Sequence, residues 1–193
     1  MGNRNIYPGR QWDDRFAICA KELPRHFYSK SEEIPVTGFT TRERLSFEEA
    51  CRMAGKEATP IKPGTAWGNL WEYGWFFASF TVTEELAGKH LVFLPGVGEE
   101  MLVWVDGVVS GAVDLKHSYV TLTKNAIPGQ TIEIVMECYA GHGPRLEDGG
   151  YCREGEPVFD ETDGPQLVIK PSFGAVWQEE IFQAAMDYLT LYS

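Results

Sequence analysis

The amino-acid sequence predicts a mainly β protein, folded as a β-sandwich with short helices before it and one helix after it. From residue 75 to residue 139, short runs of alternating apolar residues follow one another, and turn-forming residues end each run. Asp106-Gly107 and Pro128-Gly129 are such turns, and Asp-Gly between two apolar runs is a strong hairpin signal. No helical periodicity intervenes, which favours a sandwich over a parallel sheet.

Each predicted strand rests on its own pattern. From Phe76 to Val82, and again from Ile132 to Cys138, apolar residues recur at every second position, as they do in half-buried strands. Short β-branched or apolar runs bounded by turns indicate the others. The predicted strands are 76–82, 90–97, 101–105 with its return after Gly107, 118–123, 130–139 and 167–169.

Residues 1–60 are predicted to be a helical and irregular extension that packs on the sandwich and contains no strand. A partial apolar stripe over residues 12–19 indicates one short helix. Ser46-Phe47-Glu48-Glu49 is a capping box, so a second helix begins there, and Gly55 fits its end. The sandwich domain is therefore assigned to residues 61–178.

The C-terminal part divides into a loop and a helix. Residues 141–166 are rich in Gly, Pro and acidic residues without periodicity, which predicts a long acidic loop. Residues 179–193 carry an apolar stripe at helical spacing. Because no helix-stop signal precedes Ser193, one expectation is a helix that links the sandwich to a following domain. The alternative is a helix that caps its own domain.

The net charge of the chain limits the classes of partner that it is expected to bind. A formal net charge of -11 disfavours nucleic acid and anionic membranes, because both are bound through Lys and Arg. A neutral partner such as a carbohydrate is not penalised, and the charge also serves solubility alone. The aromatic content of 13% suits a sandwich core, although aromatic rings also line sugar-binding surfaces.

Cysteine usage and the absence of a leader pattern suggest a compartment. The four cysteines show no metal-type spacing, and the sequence shows neither a secretory signal pattern nor an apolar run of membrane length. These features predict free thiols and a cytoplasmic protein without a membrane partner.

Two polar residues in one predicted loop are the most interesting candidates for a site. Asp114 and His117 lie three apart between strands, and neither is needed for a turn. A histidine oriented by a carboxylate would suit acid/base or metal chemistry, whereas a local hydrogen bond would brace the loop or a domain contact. We favour the bracing or interface interpretation. A glycosidase-type pair among Glu99, Glu100, Asp106 and Asp114 depends on a separation that the sequence does not give, and Asp106 already serves its turn.

Two further groups have both a functional and a structural interpretation. His142, Asp148 and Cys152 could ligate a metal, but their spacing matches no zinc pattern, so we expect no metal site. Trp67, Trp71, Tyr73 and Trp75 could stack on sugar rings if exposed, or seal the edge of the sandwich if buried. Burial is favoured because Trp75 enters an alternating strand.

Several motifs, taken in order, carry a resemblance to a known family. The sequence resembles the N-terminal domain of the α-mannosidases of glycoside hydrolase family 38, cytosolic/vacuolar and bacterial branch, over roughly residues 60–193. The segment Phe173-Gly174-Ala175 and the helix through Asp187-Tyr188 are similar to the part that joins this domain to the catalytic one. The other motifs are Trp67-Gly68, Trp75-Phe76, the segment 84–89, the segment 100–107, Gly111, Asp114 and His117.

The resemblance implies a galactose-binding-like jelly roll that precedes a zinc-dependent catalytic domain performing retaining hydrolysis of α-mannosides. An early His-x-Asp pair belongs to the zinc ligands of that domain, and no His-x-Asp occurs in this sequence. Catalytic residues are therefore not carried over. No cofactor is expected in this chain, and zinc is expected in the catalytic domain that the chain lacks.

The expected function is that of a non-catalytic accessory domain, whose partner is its own catalytic domain in the parent enzyme. The alternative is a free-standing jelly-roll module that binds carbohydrate. A homo-oligomer and the mannoside linkage are left open. The candidate interface or ligand contacts are Trp67, Glu100, Trp104, Asp114 and His117.

Overall fold

The computed structural model describes residues 8–114, 116–141 and 164–192, with side chains from Asp14 to Leu191. These residues form two compact units. The first contains the described residues before Glu32 and from Ala175 onward, and the second contains those from Glu32 to Gly174. The predicted metal trio His142, Asp148 and Cys152 and most of the acidic loop lie outside the described residues.

The described residues form three α-helices, two 3₁₀ turns at Leu23–His26 and Glu84–Leu86, and twelve strands. The helices are α1 Pro8–Glu22, α2 Phe47–Glu57 and α3 Glu179–Tyr192. The strands are β1 Tyr28–Ile34, β2 Val36–Thr41, β3 Thr59–Ile61, β4 Ala66–Trp67, β5 Tyr73–Thr81, β6 Leu91–Leu94, β7 Met101–Val105, β8 Val108–Val113, β9 Val120–Thr123, β10 Thr131–Tyr139, β11 Leu167–Val168 and β12 Ser172–Trp177.

The strands form a mainly β sandwich, as predicted. One sheet has the order β3-β2-β5-β10-β7-β8, the other has the order β1-β12-β6-β9, and β11 pairs with β4 beside them. The pairs of the larger sheet are antiparallel. The hairpin of β7 and β8 turns at Asp106-Gly107, where φ is 50° and 77°. Positive φ at both turn residues is what a type I′ hairpin requires.

Strands β5 and β10 line the core because their apolar residues alternate in register. Met136 pairs with Phe76, and Ile134 pairs with Ala78. Paired residues of antiparallel strands point to the same face, so these four side chains form one inner surface. Gly174 approaches that surface so closely that a Cβ there would lie 2.9 Å from the Phe80 ring. The close approach explains a glycine inside β12.

The opposite face of the larger sheet is covered by α2. The Ser46 hydroxyl accepts a hydrogen bond from the backbone N–H of Glu49, and the Glu49 carboxylate accepts one from the backbone N–H of Ser46. These two bonds confirm the predicted capping box. Ala50 is completely buried against Trp75 and Trp104. The rings of Trp75 and Trp104 stack with centroids 5.7 Å apart, and Phe47 stacks on Trp104 at 5.2 Å. A helix of this length does not persist in isolation, so packing against this cluster stabilises α2.

Two predictions about residues 1–60 are wrong. The segment contains strands β1, β2 and β3. In β1 only Ile34 is buried, so the strand lacks the alternation by which strands are identified in a sequence. In β2 the buried positions are Val36 and Gly38, and the glycine interrupts the apolar alternation. Gly55 does not end α2, which continues to Glu57, since a glycine without a positive φ is tolerated in a helix.

Strand β12 was not predicted, because its residues 173–175 read as a joining segment. The unit that contains the end of β12 packs around Trp177. Its ring lies 5.8 Å from Phe27 and 5.0 Å from Phe182 between centroids, and Phe16 meets Tyr188 at 4.3 Å. The predicted C-terminal helix is present as α3.

Two glycine substitutions should change stability in opposite directions. A Cβ at Gly38 would lie 2.5 Å from the Phe76 ring and 2.7 Å from the carbonyl oxygen of Trp75. We expect Gly38→Ala to lower the free energy of unfolding by about 1–3 kcal/mol, as overpacking does. Gly55 has no neighbour within 4 Å of a Cβ, so Gly55→Ala should raise stability by up to about 1 kcal/mol. Urea unfolding measures both, and equal stability of Gly38→Ala and the wild type would contradict the packing.

Candidate functional site

The two tryptophans among the predicted site residues, Trp67 and Trp104, pack against opposite faces of the larger sheet. Trp75 and Phe76 are neighbours on β5, and successive side chains of a strand point to opposite faces. Trp104 stacks on Trp75, whereas Trp67 packs against Phe76. Trp67 and Trp104 therefore do not contribute to one common surface.

Trp67 is part of the core. Its Nε1 donates a hydrogen bond of 2.7 Å to the carbonyl oxygen of Val97, and its ring meets Phe76 edge-on with centroids 5.0 Å apart. The ring covers Gly74, where a Cβ would lie 2.6 Å from Trp67. Burial is the interpretation that the sequence favoured for this aromatic group, and Trp67 and Trp75 follow it. Trp71 does not follow it, because 57% of the residue is exposed. Its backbone has a positive φ of 64°.

Asp114 and His117 form a local brace at the end of β8. The Asp114 carboxylate accepts hydrogen bonds of 2.7 Å from the backbone N–H of Lys116 and of His117. The Nδ1 atom of His117 lies 3.1 Å from both carboxylate oxygens, and the Asp114 N–H donates to the carbonyl oxygen of His117. Both side chains are largely exposed. Each of these hydrogen bonds joins two residues of the loop itself, so the loop is ordered from within.

These bonds determine the charge of Asp114. The bond from the His117 ring, followed by those from the N–H groups of His117 and Lys116, lowers the pKa of Asp114 to about 2. Each bond favours the ionised carboxylate. Asp114 is thus an acceptor that keeps its negative charge at neutral pH.

Asp106 makes contacts of its own, away from the Asp114–His117 loop. Asp106 accepts a hydrogen bond of 2.8 Å from the N–H of Glu133, and its own N–H donates to the Glu133 carbonyl oxygen at 2.8 Å. Asp106 therefore ties the hairpin turn to β10, in addition to its role in the turn. Glu100 is exposed immediately before β7.

A cleft opens beside β2 and β3, among residues that the sequence did not bring together. Its volume is about 420 Å³. Gly38 and Phe76 contribute to its lining, together with residues from β3, β4 and the segments around them. The lining residues are Gly38, Phe39, Thr40, Thr59, Pro60, Ile61, Thr65, Ala66, Trp67, Asn69, Glu72, Phe76, Pro165 and Ile169.

A comparison with known protein families finds a match for the sheet-forming part of the chain. The family described as alpha-mannosidase, jelly roll domain, matches residues 32–150, which is more than half of the chain. The chain belongs to this α-mannosidase jelly-roll family. The resemblance that the motifs indicated is thereby confirmed, and so is the jelly-roll form of the sandwich.

Solved structures with a similar fold include β-glucuronidase from Ruminococcus gnavus. Its complex with uronic isofagomine has a TM-score of 0.47 at 14% identity, and the match covers 79% of this chain and 29% of that one. Its complex with D-glucuronic acid has a TM-score of 0.47 at 15% identity, covering 79% and 30%. The α-mannosidase jelly-roll chain thus spans less than a third of these proteins. No match is found among curated proteins.

Several residues of the motifs quoted from the sequence serve the fold. Trp67, Trp104, Asp106 and Asp114 each make the packing or hydrogen-bond contacts given above. The described residues do not fit a zinc centre, since no three His, Cys, Asp or Glu side chains come together among them. In the same part of the chain, no helix is long and apolar enough to cross a membrane.

The Asp114 brace has a measurable pH dependence. A pKa of about 2 lies below the ordinary value of 3.8. The ionised carboxylate therefore stabilises the folded state fully above about pH 4, and this contribution is lost as the pH falls towards 2. In His117→Ala the pKa of Asp114 should rise but stay below 3.8, because the two N–H bonds remain.

Carbon-13 NMR titration of the Asp114 carboxyl measures this shift. Glu49 is an internal control, since its pKa is held low by the backbone and side chain of Ser46 and should not respond to His117→Ala. An Asp114 midpoint that is the same in both proteins would show that the ring makes no bond to the carboxylate.

Proposed function

We propose that this chain is an accessory, non-catalytic domain of a retaining α-mannosidase of glycoside hydrolase family 38. In this proposal the hydrolysis of α-mannosides takes place in a separate catalytic domain, which holds the zinc. The jelly roll supports that domain and its assembly. The family match is the observation that carries the proposal.

The chemistry of the marker residues supports an accessory role. A general acid or base works best when its pKa lies near the working pH. Asp114 is held ionised, far from that condition. Asp106 is bonded to the backbone of β10. Asp114 therefore does not suit proton transfer at neutral pH, and the hydrogen bond of Asp106 holds its carboxylate against β10.

Exposed apolar and charged groups offer contact points for a partner domain. On α3, Leu191 is 81% exposed and Leu189 is 43% exposed. Exposure of large apolar side chains to water is unfavourable, so their burial against another protein surface would stabilise the complex. In the second unit, the Asp114–His117 brace presents an ordered, charged loop.

Activity assays separate the accessory role from catalysis. The purified chain should not hydrolyse an aryl α-mannoside, with or without added zinc. The parent enzyme that contains both domains should hydrolyse it. Zinc-dependent turnover by the chain alone would overturn the proposal, and so would a parent sequence in which no family 38 catalytic domain accompanies this domain.

A substitution in the parent enzyme tests the contact role of the brace. His117→Ala should weaken association between the domains or subunits by about five- to tenfold, as loss of a peripheral contact does. The kcat on a small aryl mannoside should stay near the wild-type value. His26→Ala, which removes another exposed histidine, is the matched control. Unchanged association with lost turnover in His117→Ala would assign His117 to catalysis instead.

A further inference from the structure

We propose that the cleft beside β2 and β3 binds a neutral sugar ring. This inference concerns a ligand of the jelly-roll domain itself, so it does not depend on the accessory role. The cleft lies wholly in the unit from Glu32 to Gly174. Its volume of about 420 Å³ lies in the range of roughly 300–1,000 Å³ that is typical of small-molecule sites.

The packing of glycines under aromatic rings shapes the cleft. The Phe76 ring lies over Gly38 and Gly74, neither of which leaves room for a Cβ. Trp67 meets Phe76 edge-on and is fixed by its bond to Val97. Fixed rings of this kind give the cleft a rigid wall, which lowers the entropic cost of binding.

Hydroxyl groups at the rim supply hydrogen bonds in both directions. Thr40, Thr59 and Thr65 are exposed lining residues. Within the described part of the chain, their hydroxyls make no hydrogen bond to a protein group. A hydroxyl both donates and accepts, so three of them match the hydroxyls of a sugar.

An amide and a carboxylate are held in place on the same wall. Glu72 Oε2 accepts from the backbone N–H of Asn69 at 2.8 Å and from its Nδ2 at 3.3 Å. Among the described residues, Oε1 of Glu72 has no such partner and can accept from a ligand hydroxyl. Hydrogen bonds to a carboxylate are about twice as strong as neutral ones.

The charge of the lining decides between ligand classes. Among the described residues, Glu72 is the one charged member of the lining, and no Lys, Arg or His belongs to it. An anionic ligand would therefore meet a carboxylate without a compensating cation. A simple amine would pair with Glu72, but its ammonium group has no acceptor for the protons of the threonine hydroxyls. A neutral ring uses all these groups, and its C–H face can lie on Ile61 and the two prolines of the lining.

Binding should be tested on the full chain by NMR and calorimetry. The neutral probes are methyl α-D-mannopyranoside and methyl β-D-galactopyranoside, and the charged probes are glucuronate and glucosamine. We expect at least one neutral glycoside to bind with a Kd on the order of 1 mM. Amide signals of Thr65, Asn69 and Glu72 should shift and saturate. Glucuronate should bind more weakly than the neutral probe.

Variants locate the site. Glu72→Gln keeps the shape and an acceptor for Asn69, and should weaken binding about tenfold. Ala66→Trp places a large ring at an exposed lining position and should abolish binding. Val108→Trp is the matched control, since Val108 is exposed on β8 outside the lining and should bind like wild type. Dispersed amide spectra establish that each variant is folded.

Three results would overturn the proposal. One is the absence of amide shifts with either neutral glycoside at tens of times the expected Kd. Another is a set of shifts confined to exposed Trp71 and to Tyr73 and Tyr139, whose ring centroids lie 4.8 Å apart, which would place binding on these aromatic rings instead. The third is tighter binding of glucosamine than of every neutral probe, which would indicate a site for amines.

Discussion

The packing of β5 organises both faces of the larger sheet. Trp75 and Phe76 are neighbours on this strand, both are fully buried, and they point to opposite faces. Trp75 supports Trp104, Phe47 and helix α2 on one face. On the other face, Phe76 supports Trp67 and the inner core. A change in the register of β5 by one residue would exchange these faces and remove both clusters.

The position of Phe76 also explains why glycine occurs at two nearby strand positions. Gly38 pairs with Phe76 across the β2–β5 ladder, and the ring occupies the space of the Gly38 side chain. Gly74 is covered in the same way by Phe76 and Trp67. The cost of glycine in a strand, about 0.5–1 kcal/mol per residue, is offset by the burial of two large rings. Gly38 and Phe76 both line the cleft beside β2, so this packing also shapes part of its wall.

The sequence indicates the elements whose pattern is local. Strands β5 and β10 alternate, β7 is an apolar run that ends at the Asp-Gly pair of the β7–β8 turn, and α2 has its capping box. It does not indicate β1, whose residues are mostly exposed, or β2, where Gly38 interrupts the apolar alternation. Both are completed by tertiary contacts. The cleft was not predictable for a related reason, since its lining comes from separate segments that only the folded sheet brings together.

The polar residues near the β7–β8 hairpin illustrate how one pattern can suit two roles. A carboxylate three residues before a histidine is compatible with acid/base chemistry, and the sequence alone leaves that open. The geometry gives the carboxylate of Asp114 two backbone N–H donors and the ring of His117. Because every one of these bonds favours the ionised form, the arrangement opposes proton transfer at neutral pH. Asp106 is likewise committed to Glu133. In this chain both carboxylates near the hairpin therefore hold loops and strands in place.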